Sequence, residues 1–121
     1  MPVAEWTVDA YETETGEKPA LGFLRSLAGR DLVDALALLK ELREKGSALR
    51  RPHSGSLDDG LFELRGKQVR VFYIFLPGRV ALLLDGEIKQ RNDIPTATMR
   101  RMRKLQKEVE RRHRKRQSPR R

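Results

Sequence analysis

The stretch between Leu57 and Arg91 constrains the fold most, because three short segments of alternating apolar residues are separated by two turn sequences. The turns are Lys67-Gln68 and Pro77-Gly78, and each is short enough to join two antiparallel strands. Alternation with a period of two is typical of strands that bury one face. The stretch therefore predicts a three-stranded antiparallel sheet, against which the rest of the chain packs.

Two-residue turns determine the register of these strands. They put Arg65 opposite Arg70 and Arg70 opposite Asp85, and opposed residues of antiparallel strands share a face. One face is then the predicted core: Phe62, Leu64, Val71, Tyr73, Phe75, Val80, Leu82 and Leu84. The other face is apolar at one end and charged at the other: Phe72, Ile74, Leu76, Ala81 and Leu83, then Glu63, Arg65, Arg70, Asp85 and Glu87.

The charged end of this second face has two interpretations. Opposed arginines repel each other, so carboxylates are needed beside them. In a structural interpretation the charges form a surface lattice of ion pairs, with Arg65 paired to Glu63. Arg70 would pair with Asp85 in that lattice. In a functional interpretation the same end is a concave cationic floor that receives a phosphodiester.

Two helical segments precede the predicted sheet. Pro19 suits the first turn of a helix that ends near Gly29. A second helix is predicted from the N-cap Asp31 to a stop at Gly46. Its apolar stripe should face the core and consists of Leu32, Ala35, Leu36, Leu39 and Leu42. Residues 3–11 alternate weakly and predict an edge strand.

The connection at residues 47–60 is rich in Ser, Gly and Pro, which predicts a loop. It contains Arg50, Arg51 and His53. A basic loop beside a sheet either binds phosphate or is a plain connection. A single histidine in such a loop is more often solvated than catalytic, so His53 is only a weak candidate.

The composition suits one domain with a modest core, since the 121 residues are 38% hydrophobic and 36% charged. Cysteine is absent, which excludes a disulfide framework and a thiolate metal site. The sequence shows neither a typical secretory signal nor the run of about 18 apolar residues that a membrane span needs. We therefore expect a cytoplasmic protein that makes no membrane contact.

The net charge of +9 is concentrated at the C-terminal end. Residues 100–121 contain 12 Lys and Arg and two acids, a net of +10, whereas residues 1–99 have a net of −1. A block of this kind favours polyanions, most often nucleic acid, through phosphate attraction and counterion release. The alternative is a solvated tail that maintains solubility or binds a partner.

A C-terminal helix is predicted to open at Pro95. Its apolar side consists of Met99, Met102, Leu105 and Val109. Past Val109 no apolar residue remains, so the helix should fray there. We accordingly expect one domain over residues 1–110 and a basic, disordered tail over residues 111–121.

Three motifs in this chain resemble those of the phage-derived Gp49-like / HigB toxins, within the RelE-type superfamily of bacterial toxin–antitoxin systems. The motifs are GLFELR at residues 60–65, VRVFY at 69–73 and LLDG at 83–86, with Lys89 and Pro95 at matching distances. The resemblance implies an α+β fold in which two N-terminal helices pack on a small curved antiparallel sheet, with a basic C-terminal helix.

The resemblance also implies a ribosome-dependent mRNA endoribonuclease that inhibits translation and arrests growth. Such toxins use no metal or other cofactor. The RNA 2′-hydroxyl attacks the adjacent phosphate and leaves a 2′,3′-cyclic phosphate and a free 5′-hydroxyl. The implied partners are the ribosome, mRNA and a cognate antitoxin of the helix-turn-helix type. DNA would be contacted only through the antitoxin complex.

Carried over by position, Arg70 matches the phosphate-binding arginine of the superfamily, and Lys89 matches a lysine that stabilises the transition state. Arg65 is either a second phosphate ligand or an ion-pair partner. Glu63 is either a general base or an orienting group, and an exposed Glu63 beside two arginines should stay ionised, which favours orientation. Further RNA contacts are expected from basic side chains at Arg50, Arg51, Arg91, Arg100, Arg101 and Lys104.

The chain departs from the family pattern at Asp85, Glu87 and Gln90, where the family often has histidine, an aromatic residue and a second lysine. The two acids put negative charge near the expected phosphate site. These departures and the basic tail equally suit a second function, a non-catalytic nucleic-acid-binding or regulatory module on the same fold.

Overall fold

The structure of the protein, a computed structural model, describes residues 5–117, with side chains through Arg114. The elements follow the chain in this order: β1 Thr7–Ala10, α1 Pro19–Arg25, α2 Gly29–Lys45, a 3-10 turn Gly46–Ala48, β2 Ser54–Ser56, β3 Leu61–Arg65, β4 Val69–Leu76, β5 Val80–Ile88 and α3 Thr96–Gln117. The protein therefore has the predicted α+β class, with three α-helices and five strands in the described part of the chain.

The five strands form one curved sheet in the order β1-β5-β4-β3-β2. Strands β2 to β5 are antiparallel neighbours, whereas β1 runs parallel to β5. The expected purely antiparallel sheet is therefore wrong, and the sheet is mixed. β1 lies within the predicted edge strand at residues 3–11, and β2 is a short strand inside the predicted loop at residues 47–60.

Strands β3 and β4 pair in the predicted register. Arg65 lies opposite Arg70, and the Gly66 N–H donates to the Val69 carbonyl at 2.9 Å. Lys67-Gln68 is thus the predicted two-residue turn. Because side chains alternate along a strand, this turn leaves Leu64 and Glu63 on opposite faces of the sheet, as expected.

The turn between β4 and β5 is one residue longer than predicted, because Leu76 pairs with Val80. This extra residue exchanges the two faces over the first half of β5. The prediction that Leu82 and Leu84 share a core with Tyr73 is therefore wrong. The residues of β5 that face α1 and α2 are Ala81 and Leu83.

A β-bulge between Phe72 and Tyr73 shifts the pairing of β4 and β5 a second time. As a result Arg70 lies opposite Glu87, and the predicted pairing of Arg70 with Asp85 is wrong. The bulge also restores the predicted face for the second half of β5. Arg70 and Glu87 consequently share the charged face of the sheet.

Each face of the sheet is covered by helix. On one face α1 and α2 bury Ala20, Leu27, Ala35, Leu38 and Leu42 against Leu64, Val69, Val71, Tyr73, Ala81 and Leu83. On the other face α3 buries Met102 and Val109 against Tyr11, Leu61, Phe72, Ile74, Leu82 and Leu84. The sheet is therefore the middle layer of three, and its charged end lies on the α3 side.

Helix α2 begins at Gly29, two residues before the predicted N-cap Asp31, and Gly46 ends it as predicted. Gly46 has a positive φ of 52°, and a Cβ at this position would overlap the indole ring of Trp6. A side chain would therefore be both strained and blocked there. The stop at Gly46 also lets Trp6 approach the helix end, where the Trp6 backbone N–H donates to the Arg43 carbonyl at 2.8 Å.

The apolar stripe of α2 faces the core only in part. Ala35 and Leu42 are buried, as is Leu38, which the predicted stripe omits. Leu36 belongs to the predicted stripe but is 53% exposed, so its assignment to the core is wrong. It lies on the helix face opposite Leu38 because residues two positions apart in a helix point roughly 200° apart.

Helix α3 does not end near Val109 but continues to Gln117, so the expected fraying of the helix near Val109 is wrong. The division into a domain of residues 1–110 and a tail of residues 111–121 stays a prediction. Residues 118–121 of the predicted tail lie outside the described part of the chain. The N-terminal segment contacts this helix: the Tyr11 hydroxyl donates to Glu108 at 2.9 Å, and Arg112 donates to the Glu12 carbonyl at 2.8 Å. No helix within residues 5–117 is long and apolar enough to cross a membrane.

Candidate functional site

The charged end of the sheet centres on Arg70, which is only 2% exposed. Strand β4 places Arg70 between Arg65 on β3 and Glu87 on β5. Glu63 lies two residues from Arg65 on the same face of β3, diagonal to Arg70, so its carboxylate reaches both arginines. We call Glu63, Arg65, Arg70 and Glu87 the arginine–glutamate network.

All three nitrogens of the Arg70 guanidinium donate hydrogen bonds. Nε donates to Glu63 Oε1 at 3.0 Å, and Nη1 donates to Glu87 Oε2 at 2.7 Å. Nη2 donates to the backbone carbonyls of Asn92 at 2.9 Å and Arg91 at 3.4 Å. Arg70 therefore connects three strands and the segment between β5 and α3. A phosphate could reach it only by displacing one of these acceptors.

Glu63 uses both carboxylate oxygens within the network. Oε1 accepts from Arg70, and Oε2 lies 2.9 Å from Nη2 of Arg65. The expectation that Glu63 is exposed is wrong, since its side chain is 3% exposed. The predicted ion pair between Glu63 and Arg65 is confirmed. Contacts with two arginines hold the buried carboxylate in one orientation, which suits an orienting group better than a proton acceptor.

Two carboxylates of β5 connect the sheet to α3. Glu87 Oε1 accepts a hydrogen bond from the Thr98 hydroxyl at 2.8 Å while its other oxygen binds Arg70. Asp85 forms an ion pair with Arg101, not with Arg70. The predicted lattice therefore exists, but Arg70 has a different partner, because the longer turn and the bulge together move Glu87 into the place expected for Asp85.

The partly exposed cations at this end of the sheet are Arg65 and Lys89. Arg65 is 37% exposed, and its guanidinium packs against Gly55 of β2. Lys89 Nζ donates to the Gly66 carbonyl at 3.1 Å, beside the turn between β3 and β4. The two carboxylates of the arginine–glutamate network balance its two arginines, so Lys89 adds a positive charge that the network does not neutralise, and Arg65 is the network cation that an anion can reach.

The predicted RNA contacts outside α3 are scattered. Arg50 Nη1 donates to the Ser47 carbonyl at 2.7 Å, and Arg51 precedes the cis peptide bond to Pro52. Both line a shallow recess beside β2 and are exposed. Arg91 is exposed and pairs with Asp93 at 3.2 Å. These three arginines are accessible, but only Arg91 is joined to the arginine–glutamate network, through its backbone carbonyl.

His53 is a side chain of the loop surface rather than of the network. Its Nδ1 lies 2.8 Å from Glu41 of α2. The histidine is half exposed, and the same carboxylate group also pairs with Lys45. The His53 side chain therefore lies beside α2. Only the backbone of His53 contacts the network, because its carbonyl accepts the Arg65 backbone N–H at 2.8 Å.

The outward side of α3 carries an exposed cationic row. Arg100, Lys104, Lys107 and Arg111 follow one another at spacings of four, three and four residues, which keeps them on one side of a helix. Arg103 points elsewhere, since it donates to the carbonyls of Leu57 and Asp58 at 2.6 and 3.0 Å. Of the predicted contacts, Arg100 and Lys104 belong to this row, whereas Arg101 is paired with Asp85.

A sequence model of the phage-derived Gp49-like proteins matches residues 22–107, a segment that contains Glu63, Arg65, Arg70 and Lys89. The chain belongs to this Gp49-like family. The family is related to toxin–antitoxin systems. No curated protein matches the chain in sequence.

Among solved structures, this Gp49-like protein is similar to the toxin–antitoxin complex RelBE2 from Mycobacterium tuberculosis. The two chains share 22% sequence identity and superpose with a TM-score of 0.45. The similarity covers 74% of this chain and 98% of the other.

Sequence reasoning missed two members of the Gp49-like chain's charged site, Glu87 as a partner of Arg70 and Thr98 as a partner of Glu87. The sequence did show that Glu87 and Asp85, two residues apart on one strand, share a face. The assumed two-residue turn, however, put Asp85 rather than Glu87 opposite Arg70. The contact of Thr98 had no local signal, because it depends on how α3 crosses the sheet. In the described part of the chain, no group of three or more His, Cys, Asp or Glu side chains is placed to hold a metal ion.

Proposed function

We propose that this protein is the toxin of a type II toxin–antitoxin pair and that it cleaves mRNA on the ribosome, in the cytoplasm. Membership of the Gp49-like family supports the class of protein. One observation supports the proposed chemistry. Two accessible cations lie at the end of the sheet: Arg65, which the buried Glu63 and Arg70 hold in place, and Lys89, beside the turn between β3 and β4. Rigid cations of this kind stabilise a phosphate that gains negative charge.

The proposed reaction needs no bound metal. The 2′-hydroxyl loses its proton to a general base, and its oxygen forms a bond to the adjacent phosphorus. The bond from phosphorus to the 5′-oxygen then breaks, and a general acid protonates that oxygen. The products are a 2′,3′-cyclic phosphate and a 5′-hydroxyl. Arg65 and Lys89 bind the phosphate oxygens, where the extra charge of the pentacoordinate transition state develops.

Arg70 acts in this proposal mainly through the residues that it holds. Its guanidinium fixes Glu63, and Glu63 in turn fixes Arg65. The bonds of Arg70 to the carbonyls of residues 91 and 92 also fix the chain just after Lys89. A direct phosphate contact by Arg70 would need Nη2 to exchange a carbonyl for a phosphate oxygen. Catalysis therefore depends on Arg70 even where Arg70 touches no substrate.

The cationic row on α3 is the proposed surface for ribosomal RNA or the mRNA backbone. Its exposed lysines and arginines would neutralise phosphates without reading sequence. Arg50 and Arg51 provide a second basic surface beside β2, and Arg91 provides a third. RNA that reaches the accessible cations would therefore have basic side chains along more than one path.

The proposed partner is a cognate antitoxin of the helix-turn-helix type. The relation of the Gp49-like family to toxin–antitoxin systems supports this pairing. Contact with operator DNA would fall to the antitoxin, so this chain meets DNA only within the complex.

The test is induction of the chain alone in bacteria, followed by growth measurement and mapping of mRNA 5′ ends. We expect growth arrest and new 5′ ends inside translated codons. Arg65→Ala and Lys89→Ala should each reduce cleavage by about 100-fold, because each removes one donor to the charged phosphate. Arg43→Ala and Lys45→Ala, which remove ion-paired cations from α2, are the matched controls and should cleave normally.

One observation favours a second function, a non-catalytic nucleic-acid-binding or regulatory module. Arg70 is paired to two carboxylates, and Glu87 and Asp85 add negative charge where a phosphate should bind. Soluble, folded protein that causes neither growth arrest nor new 5′ ends would support this alternative and contradict the nuclease.

A further inference from the structure

Helix α2 exposes large apolar side chains on the face that points away from the sheet. Val33 is 68% exposed and Leu36 is 53% exposed. With Ala37, they form a stripe at spacings of three and one residues, on the side of the helix opposite the buried Leu38 and Leu42. A helix on the surface of a globular protein usually carries polar residues there, so an exposed apolar stripe marks an interaction surface.

The apolar stripe borders a recess rather than a flat surface. The recess lies between the first turns of α2 and the turn that joins β3 to β4. Its lining residues are Gly29, Arg30, Val33, Asp34, Ala37 and Lys67. A partner side chain that enters it would contact Val33 and Ala37, and filling such a recess gives a large share of binding energy at protein interfaces.

The rim of this surface is cationic. Arg30, Lys40 and Lys67 are exposed, and none of them forms an ion pair with a residue in the described part of the chain. The one acid in the recess, Asp34, is already engaged, because its Oδ2 accepts the Lys67 backbone N–H at 2.8 Å. A partner would therefore meet an apolar centre and three unpaired positive charges around it.

We propose that the outer face of α2 binds an acidic amphipathic helix of a partner protein. The partner's apolar side would lie on Val33 and Leu36, and its carboxylates would pair with the rim. The distance from Gly29 to Lys40 is about 17 Å, which matches roughly three turns of a helix. Identification of this partner with the antitoxin rests on the function proposed above, whereas the surface and its chemistry do not.

A second copy of this chain fits the same surface less well. A symmetric dimer through α2 would bring the Arg30, Lys40 and Lys67 rims of both copies together. Each chain also carries a net charge of +9. Like charges across an interface oppose association, so charge complementarity favours an acidic partner.

The test measures binding of synthetic peptides to the full-length protein by fluorescence anisotropy. The first peptide is an 18-residue helix with leucines on one side and glutamates at the edges, and the second has lysine in place of each glutamate. We expect the acidic peptide to bind and the basic peptide to bind at least 10-fold more weakly. A Val33→Ser/Leu36→Ser double variant should lose at least 10-fold in affinity for the acidic peptide.

The matched control is Ile88→Ser, which removes another exposed large apolar side chain at the end of β5 and should bind as the unmodified protein does. Unchanged melting temperatures would show that the variants fold. The proposal is overturned if the acidic peptide does not bind, or if the double substitution leaves its affinity unchanged. A concentration-dependent dimer that the double variant abolishes also overturns it and assigns the face to a second copy. Growth arrest and mRNA cleavage are measured for the same proteins. These two measurements test the nuclease proposal, whereas the peptide affinities test only the proposed binding face of α2.

Discussion

Helices α2 and α3 cover opposite faces of the same sheet, yet they differ on both of their sides. On its inner side α2 contacts the sheet with aliphatic residues such as Leu38 and Leu42, whereas α3 adds hydrogen bonds and an ion pair from Thr98 and Arg101 to the apolar contact of Met102. On its outer side α2 exposes apolar residues and α3 exposes cations. Packing against the sheet thus accounts for the residues on the inner side of each helix only. The two solvent-exposed outer sides differ in chemistry and suit different partners.

The polar contacts of α3 make its position depend on the charged end of the sheet. Thr98 reaches Arg70 through Glu87, and Arg101 reaches β5 through Asp85. The position of α2 depends on no such contact with the arginine–glutamate network. Damage to this network should therefore affect the α3 side of the molecule more than the α2 side.

Substitution of Arg70 should give the largest loss of stability. Arg70→Ala leaves Glu63 and Glu87 without their buried partner, which should cost about 3–5 kcal/mol of unfolding free energy. Chemical denaturation measures this loss. Arg65→Ala is the control, and since Arg65 is more than a third exposed it should cost no more than about 1 kcal/mol. Equal losses for the two variants would show that Arg70 is not the centre of the network.

Truncation of apolar residues compares the inner and outer sides of the helices. Leu42→Ala on α2 and Met102→Ala on α3 should each cost about 2–5 kcal/mol, because each leaves a cavity in a core. Leu36→Ala should change the unfolding free energy by no more than about 0.5 kcal/mol. The measurement is again chemical denaturation, and a loss at Leu36 as large as at Leu42 would mean that Leu36 is buried.

The smallest expected effect concerns the two tyrosines, one on each side of the sheet. Burial raises the pKa of Tyr73 above its ordinary value of 10.0, although a hydrogen bond with Ser54 opposes the rise. Burial also raises the pKa of Tyr11, and the hydrogen bond to Glu108 adds to it. Above pH 10 the unfolded chain releases these protons first, so the unfolding free energy should fall as the pH rises.

Denaturation between about pH 9 and pH 11 checks this prediction. Tyr73→Phe and Tyr11→Phe should each make the decline less steep, because each removes one phenol that titrates differently in the two states. A decline of the same steepness in both variants and the unmodified protein would mean that other groups, such as lysines, cause it.

The pairing of β3 with β4 could be predicted because Lys67-Gln68 forms a two-residue turn. With this turn and with alternate residues buried, only one register is possible. The pairing of β4 with β5 could not. An extra turn residue and a bulge each shift the strands by one position, and neither has a unique sequence signal. The two shifts together return Glu87 to its predicted face but give it a different partner.

The sequence allowed prediction of which residues form the charged site, but not of how deeply each is buried or which partner it binds. Alternation correctly gathered Glu63, Arg65 and Arg70 on one face. Glu63 and Arg70 are buried by contacts that include residues distant in the sequence, such as the carbonyls of Arg91 and Asn92, so local reasoning left Glu63 exposed. The same limit applies to Leu36, since a periodic stripe shows that a helix has an apolar side but not how much of it the sheet can cover.

The order of the strands has a consequence for self-association. β5 would be an open edge if the chain began at α1, and its unpaired backbone groups could then pair with another molecule. β1 occupies that edge with four residues, and the opposite edge, β2, has only three. Both outer strands are too short to pair along much of their length with a strand of another molecule. Loss of β1 by truncation or proteolysis would expose the longer β5 as an edge strand and make the protein prone to aggregation.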